Sequence, residues 1–138
     1  MHARLNAYGF SRLKPYEAWK PFRREAMDLW EHYRRIALPD HVTRVGLRYI
    51  NRVELPLPMK DFKEYILTTP EIASGLPDAM AGFVMQVIIP DPASGATVLI
   101  NETIEPTATN AGVLPLIFDI DASKAVALPA DSPDLWTL

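Results

Sequence analysis

The sequence contains no cysteine, no long apolar run and no secretory signal. Without cysteine, the 138-residue chain forms no disulfide and has no thiolate metal ligand and no cysteine nucleophile. Its apolar runs, such as Ala125–Leu128, are far shorter than the roughly 20 residues that span a bilayer. The first residues lack the apolar core of a signal peptide. These absences favour a cytoplasmic protein that does not enter a membrane.

Motifs for common chemistries are also missing. The sequence has no glycine-rich phosphate loop, no Gly-x-Ser-x-Gly nucleophile elbow and no His-Glu-x-x-His zinc motif. Its three histidines, His2, His32 and His41, do not have the spacing of a zinc site, which favours surface or capping roles. No cofactor is therefore predicted, and a non-enzymatic role is favoured.

Basic residues are scarce in the second half of the chain. Residues 1–64 carry 13 basic and 8 acidic side chains, whereas residues 65–138 carry 1 and 9. This asymmetry indicates either two halves that neutralise each other in one fold or a basic face offered to a partner. A content of 49% apolar and 22% charged residues is typical of a soluble globular protein, and we expect one domain over residues 1–138.

An amphipathic helix is the clearest element of the sequence. Apolar side chains recur every three or four residues from Trp19 to Ile36. Pro21 would fall in the first turn, where proline is tolerated, and Pro39 follows the last turn. The spacing predicts a helix that begins near Trp19 and ends before Pro39.

Alternating apolar residues and turn residues predict the rest of the secondary structure. Gly9 is expected at a bulge or close approach, and Pro115 is expected to confine the start of its strand to an edge or bulge. The strands are predicted at residues 3–13, 42–54, 82–89, 96–104 and 113–121, a short helix at 61–67 after a linker at 55–58, and loops at 68–80 and 105–112. The fold class is therefore α+β: a mainly antiparallel sheet of about five strands, with the Trp19–Ala37 helix packed on the face that bears Val45, Leu47 and Tyr49.

Both ends of the sequence look cut. The chain starts inside a predicted strand, and Ser132-Pro133 has the pattern that opens a helix, with about one turn left to follow. We expect segments to be missing at both ends. The sheet edge or apolar patch exposed in this way should promote self-association.

Long segments of the chain resemble a sporadically distributed family of bacterial proteins. The resemblance is carried by Phe10–Trp19 (FSRLKPYEAW), Leu29–Tyr33 (LWEHY), Val42–Arg52 (VTRVGLRYINR), Gly82–Met85 and Val113–Asp121, so it covers most of the chain. It implies relatives that are longer at both ends, and it implies no activity or catalytic residue. Where the family tends to have a serine before the tryptophan, this chain has Ala18, so the helix lacks a capping candidate.

A row of arginines is the most informative candidate site. Arg44, Arg48 and Arg52 recur every four residues on one face of a predicted strand, about 13 Å apart, and Asn51 lies among them as a further binding candidate. Three interpretations of these arginines are open. They form ion pairs inside the fold with Asp119, Asp121 and Glu102, they bind an anionic group of a protein or ligand, or they contact successive phosphates of a nucleic acid. The acidic net charge of −3 favours internal pairing.

An acidic constellation is the second candidate site. Asp119 and Asp121 lie two residues apart, so both carboxylates would project from one face of a strand, and Glu102 or Glu105 would approach from the neighbouring hairpin. Such a set suits Mg²⁺ or an acid/base pair. The simpler interpretation is a solvated strand end.

These observations rank three functions. The favoured one is a non-enzymatic interaction or regulatory module with a protein partner or self-association. A nucleic-acid-associated protein that uses the arginines is the first alternative, and a metal-dependent enzyme that uses Asp119 and Asp121 is the second.

Overall fold

The computed structural model describes residues 2–77, 80–105 and 112–137. Within this part of the chain the structure has one α-helix and six strands in two mainly antiparallel sheets, so the predicted α+β class is confirmed, whereas the expected count of about five strands is not. The elements are β1 (His2–Arg4), β2 (Ala7–Gly9), α1 (Trp19–Ala37), β3 (His41–Pro56), β4 (Val84–Asp91), β5 (Ala96–Ile104) and β6 (Val113–Pro129), with 3-10 helices at Phe62–Glu64 and Pro133–Trp136.

The chain divides into two compact units. The first comprises Met1–Arg44 and Val126–Leu138, and the second comprises Val45–Ala125. The first unit contains the two-stranded sheet and α1, and most of the four-stranded sheet belongs to the second unit.

The helix of the first unit has the predicted bounds, Trp19–Ala37. Pro21 lies in its first turn, where the missing N–H has no helical partner to lose. The helix ends at Leu38, which adopts a left-handed conformation (φ 47°) and donates its N–H to the carbonyl of Arg34 at 3.1 Å. This is a C-terminal cap made without glycine.

The aromatic stripe of α1 packs inside the first unit. The rings of Trp30 and Tyr33 are buried and stacked, with centroids 5.3 Å apart, and Tyr8 meets Trp30 edge-on at 5.4 Å. The Trp30 indole donates to the carbonyl of Ala130 at 3.2 Å, and the Tyr33 hydroxyl donates to that of Arg4 at 2.8 Å. The indole N–H of Trp30 and the hydroxyl of Tyr33 therefore each have a backbone hydrogen-bond partner.

The N-terminal segment differs from its prediction as one strand over residues 3–13. It forms a hairpin in which Arg4 pairs with Ala7 across a two-residue turn, and the second strand ends at Gly9. Tyr8 donates its hydroxyl to the carbonyl of Ala26 at 2.8 Å, which ties the hairpin to the helix. Local alternation cannot distinguish a long strand from two short strands that fold back on each other.

The four-stranded sheet has the strand order β3-β6-β5-β4. The predicted hairpin is confirmed as β4 and β5, with Asp91 opposite Ala96 and Gly95 at φ 72° in the loop. The last strand was predicted to end at Asp121 but continues to Pro129. Its Pro115 does not mark an edge strand, because β6 lies between β3 and β5. The proline sits at the end of the β5–β6 ladder, where its carbonyl accepts from the Glu105 N–H at 3.0 Å.

The core of the second unit is formed by Leu55, Ile104 and Leu116, exposed by 1%, 9% and 1%. The prediction of a linker at 55–58 is therefore wrong for Leu55, which is the buried end of β3. The helix expected at 61–67 is a 3-10 turn at Phe62–Glu64, capped by Asp61, because so short a segment cannot sustain an α-helix. This turn brings Phe62 and Ile66 against the core.

Two remaining predictions concern the loops and the C-terminal segment. Residues 106–111 of the loop predicted at 105–112, and residues 78 and 79 of the loop at 68–80, lie outside the described residues. The helical start predicted at Ser132-Pro133 is confirmed as the 3-10 helix Pro133–Trp136, in which the Ser132 hydroxyl accepts from the N–H of Asp134 at 3.2 Å.

Candidate binding face

The candidate arginines and acidic residues of the second unit meet on one face of the four-stranded sheet. In the β5–β6 register Asn101 lies opposite Asp119 and Leu99 opposite Asp121, and in the β4–β5 register Gln86 lies opposite Asn101. Residues directly opposite each other share a face. We call this side the arginine face and define it by Arg48, Ile50, Arg52, Val84, Gln86, Ile88, Asn101, Asp119 and Asp121.

Arg48 and Asp119 form the central contact of the arginine face. The guanidinium donates from Nε to Oδ1 at 2.8 Å and from Nη2 to Oδ2 at 2.7 Å, a bidentate pair. Asp119 is only 8% exposed, whereas 57% of the Arg48 side chain is accessible. The hydrogen bond from Arg48 lowers the pKa of Asp119 against the opposing effect of burial. The internal pairing expected for Arg48 is therefore confirmed.

Arg52 is also paired within the second unit, with two carboxylates instead of one. Its Nε donates to Glu105 Oε2 at 2.7 Å, and its Nη1 contacts Glu54 on the same strand. These hydrogen bonds, first that of Glu105 and then that of Glu54, raise the pKa of Arg52. All three side chains are partly exposed, so solvent screens the pairs and each contributes little to stability.

The other candidate binding residues do not all join this group. Asn51 follows the alternation of β3 to the opposite face, where its amide donates to the carbonyl of Phe118 at 3.4 Å. Arg44 belongs to the first compact unit, and both it and Asp121 take part in further interactions. Asp121 also attracts Arg48 and contributes to the raised pKa of that guanidinium.

Glu102 lies on the opposite side of the sheet from Asp119 and Asp121. Its register partner on β6 is Phe118 and its partner on β4 is Met85, so it points toward the side that carries the core residues Ile104 and Leu116. We call that side the apolar face and define it by Leu55, Met85, Glu102, Ile104, Leu116 and Phe118. The metal set of Asp119, Asp121 and Glu102 is thus not brought together. Among the described residues, no three His, Asp or Glu side chains cluster as metal ligands.

The environment of Glu102 is unusual for a carboxyl group. The residue is 2% exposed, and its Oε2 has no hydrogen-bond partner. Burial raises the pKa of this carboxyl, in the opposite direction to that of Asp119. Sequence reasoning missed this feature because it assigned Glu102 to the wrong face. A single charged residue inside an otherwise uncharged strand was the available signal.

Exposed aliphatic side chains flank the ion pairs of the arginine face. Ile50 of β3 is 62% exposed, and Val84 and Ile88 of β4 are 82% and 61% exposed. This exposure could not be predicted from the sequence, since an uncharged run such as Val84–Ile89 is equally typical of a buried strand. The face therefore combines satisfied charges with accessible apolar surface.

Two clefts lie elsewhere, in the first unit. The larger, with a volume of about 440 Å³, lies beside the end of α1 and includes Arg34, Leu38 and Asp131; the other, of about 220 Å³, includes Trp30 and Trp136. Neither contains a residue of the arginine face. The candidate site is thus a surface and not a pocket.

Comparison of the chain with protein-family models, with curated proteins and with solved structures gives no match. In the part of the chain that the structure describes, no helix has the length and apolar character needed to cross a membrane. The geometry of the arginine face is thus the basis on which a function can be inferred.

Proposed function

We propose that the chain is a non-enzymatic interaction module that binds a protein partner through the arginine face. The observation that carries the proposal is the exposure of Ile50, Val84 and Ile88, all above 60%, on the side that also carries the paired arginines. Protein interfaces combine exposed apolar side chains with arginine in this way. A bacterial setting, as implied by the resemblance, and a cytoplasmic location are part of the proposal.

The charge arrangement makes a polyanion a weaker partner. Arg48 and Arg52 are each held by carboxylates of the same unit, so their charges are largely neutralised before any ligand arrives. Binding to a nucleic acid gains its free energy when unpaired Lys and Arg side chains neutralise phosphates and release the counterions of the nucleic acid. The net charge of −3 further opposes approach to a nucleic acid. Displacing Asp119 would also leave a nearly inaccessible carboxylate without its partner.

A metal-dependent enzyme is supported less than either binding function. Both carboxylate oxygens of Asp119 accept hydrogen bonds from Arg48, and Glu102 faces the other side of the sheet. Asp121 alone would leave most of the coordination sphere of a divalent cation to water.

A site-specific photocross-linker tests the proposal. Placed at Ile50, it should yield a discrete adduct with a protein in the cells that produce the chain. The matched control is Leu67, another aliphatic residue of the second unit, which is 100% exposed but lies off the arginine face; there the same adduct should not form. A nuclease-sensitive adduct at Ile50 would favour the nucleic-acid alternative. Equal labelling at both positions would contradict an interface on this face.

A further inference from the structure

Over its first six residues, the outer edge of β4 is a sheet edge without charged side chains. β4 is the last strand in the order β3-β6-β5-β4, and among the strands of the described residues only β5 pairs with it. Natural edge strands are commonly protected from association by charged side chains. Val84–Ile89 (VMQVII) carries no charge, and Val84, Ile88 and Ile89 are exposed by 82%, 61% and 45%.

Pro90 identifies which backbone groups point outward. It lies opposite Thr97 in the ladder, and a proline fits an edge strand where its nitrogen faces away from the neighbouring strand. In an antiparallel strand the N–H and C=O of one residue point to the same side, and the side alternates along the chain. The backbone groups of Ile88, Gln86 and Val84 therefore point outward, available to another strand.

We propose that β4 pairs antiparallel with β4 of a second copy, about a two-fold axis at Gln86. This register places Gln86 opposite the partner's Gln86 and Val84 opposite the partner's Ile88. The two most exposed aliphatic side chains of the strand thus cover each other on the arginine face, and no like charges meet. Three hydrogen-bonded residue pairs exchange about six backbone hydrogen bonds.

Pro90 also selects this register over its neighbour. An axis one residue later, at Val87, would place Pro90 opposite the partner's Val84, where the missing N–H would remove a backbone hydrogen bond. With the axis at Gln86, Pro90 faces the partner's Gly82, beyond the end of the partner strand. A two-fold, self-complementary interface of this kind is the commonest form of homodimer.

This inference goes beyond the proposed function and does not depend on it. Edge pairing covers Val84 and Ile88, which also count toward the exposed surface of the proposed function, whereas Ile50 and Arg52 lie on β3 at the other edge of the sheet. A monomer could still bind a partner through Ile50, and a dimer could still lack one. The cross-linking test at Ile50 and the tests of β4 therefore fail separately.

Single cysteines in this cysteine-free chain test the register directly. Gln86→Cys should form a disulfide-linked dimer under mild oxidation, because opposite residues in such a pair have Cα atoms about 5.5 Å apart, within disulfide range. Ile88→Cys should not link to itself, since the two copies would be about 13 Å apart. An equimolar mixture of Val84→Cys and Ile88→Cys proteins should link to each other.

Sedimentation equilibrium tests the dimer without oxidation. The unmodified chain should dimerise with rising concentration, and Gln86→Lys, which sets two ammonium groups opposite each other, should raise the dissociation constant about tenfold. Thr68→Lys, an exposed polar position outside the strand, should leave it unchanged. A chain that stays monomeric at millimolar concentration, or Ile88→Cys self-linking as readily as Gln86→Cys, would overturn the proposal, as would an edge that accepts only an added extended peptide.

Discussion

Asp119 and Glu102 are carboxylates on the two neighbouring inner strands of the sheet, and their surroundings differ completely. Both are nearly inaccessible, with 8% and 2% of their surface exposed. Asp119 points to the arginine face and receives two hydrogen bonds from Arg48, which lower its pKa. Glu102 points to the apolar face, where burial raises its pKa and one oxygen has no hydrogen-bond partner.

Burial alone therefore does not decide the ionisation of a carboxyl group in this protein. The partner decides it, because a nearby guanidinium compensates the loss of water while an apolar neighbourhood does not. The sheet thus has one face suited to ionised side chains and one suited to neutral ones. The following predictions test that distinction between the two faces.

The largest effect should come from truncating the apolar face. Leu116→Ala removes a side chain that is 1% exposed, and we expect it to lower the free energy of unfolding by about 2–5 kcal/mol. The matched control is Ile50→Ala on the arginine face, 62% exposed, for which we expect a change within about 0.5 kcal/mol. Denaturant unfolding measures both. Equal losses would mean that the arginine face is covered as completely as the apolar face.

The second effect concerns the ion pair. Arg48→Gln should destabilise the fold by about 1–2 kcal/mol, because Asp119 is left without its charged partner; the figure is below that of a fully buried pair since 57% of the Arg48 side chain is accessible. Adding Asp119→Asn should restore much of the loss. Unchanged stability, together with loss of salt-dependent retention on DNA or heparin, would instead favour the nucleic-acid function.

The sequence predicted the secondary-structure elements better than it predicted how neighbouring strands align with each other. The α1 helix and the β4–β5 hairpin followed from a sustained period and strong turn residues. Alternation also placed Arg48 and Arg52 on one face of β3. Alternation within a strand does not give the register between strands, however, and a shift of one residue moves a side chain to the other face. Glu102 was therefore assigned to the face of Asp119, although its register partner is Phe118.

The length of β6 was missed for a related reason. Its second half, residues 122–129, reads ASKAVALP, which is rich in alanine and has a single β-branched residue, too little strand propensity to indicate a strand. Pairing with a neighbouring strand decides such a segment, since strand propensity depends strongly on context. The Leu55 error has the same origin, because Pro56 and Pro58 suggested a linker where the end of β3 is buried in the core.

The third effect has the opposite sign from the first two. Glu102→Met replaces the buried carboxyl with an apolar side chain of similar length, so we expect it to raise the free energy of unfolding at neutral pH by about 1 kcal/mol. The same change at an exposed glutamate, Glu64→Met, serves as the control and should have little effect. Destabilisation by Glu102→Met would show that the carboxyl has a favourable polar contact, and the contrast between the faces would fail.

The smallest effect is the pH dependence of these two side chains. The folded pKa of Asp119 lies below its unfolded value of about 3.9, so its contribution is present above that value and is lost as the pH falls through the folded pKa. The folded pKa of Glu102 lies above its unfolded value of about 4.3, so stability is lost as the pH rises from there through the folded pKa. Urea unfolding at several pH values should therefore show that Asp119→Asn flattens the acid limb, while Glu102→Met removes a decline at higher pH. If the unfolding free energies of the two variants depended on pH in the same way, the two carboxyls would titrate alike. That outcome would contradict the contrast between Asp119, which has a guanidinium partner, and Glu102, which has none.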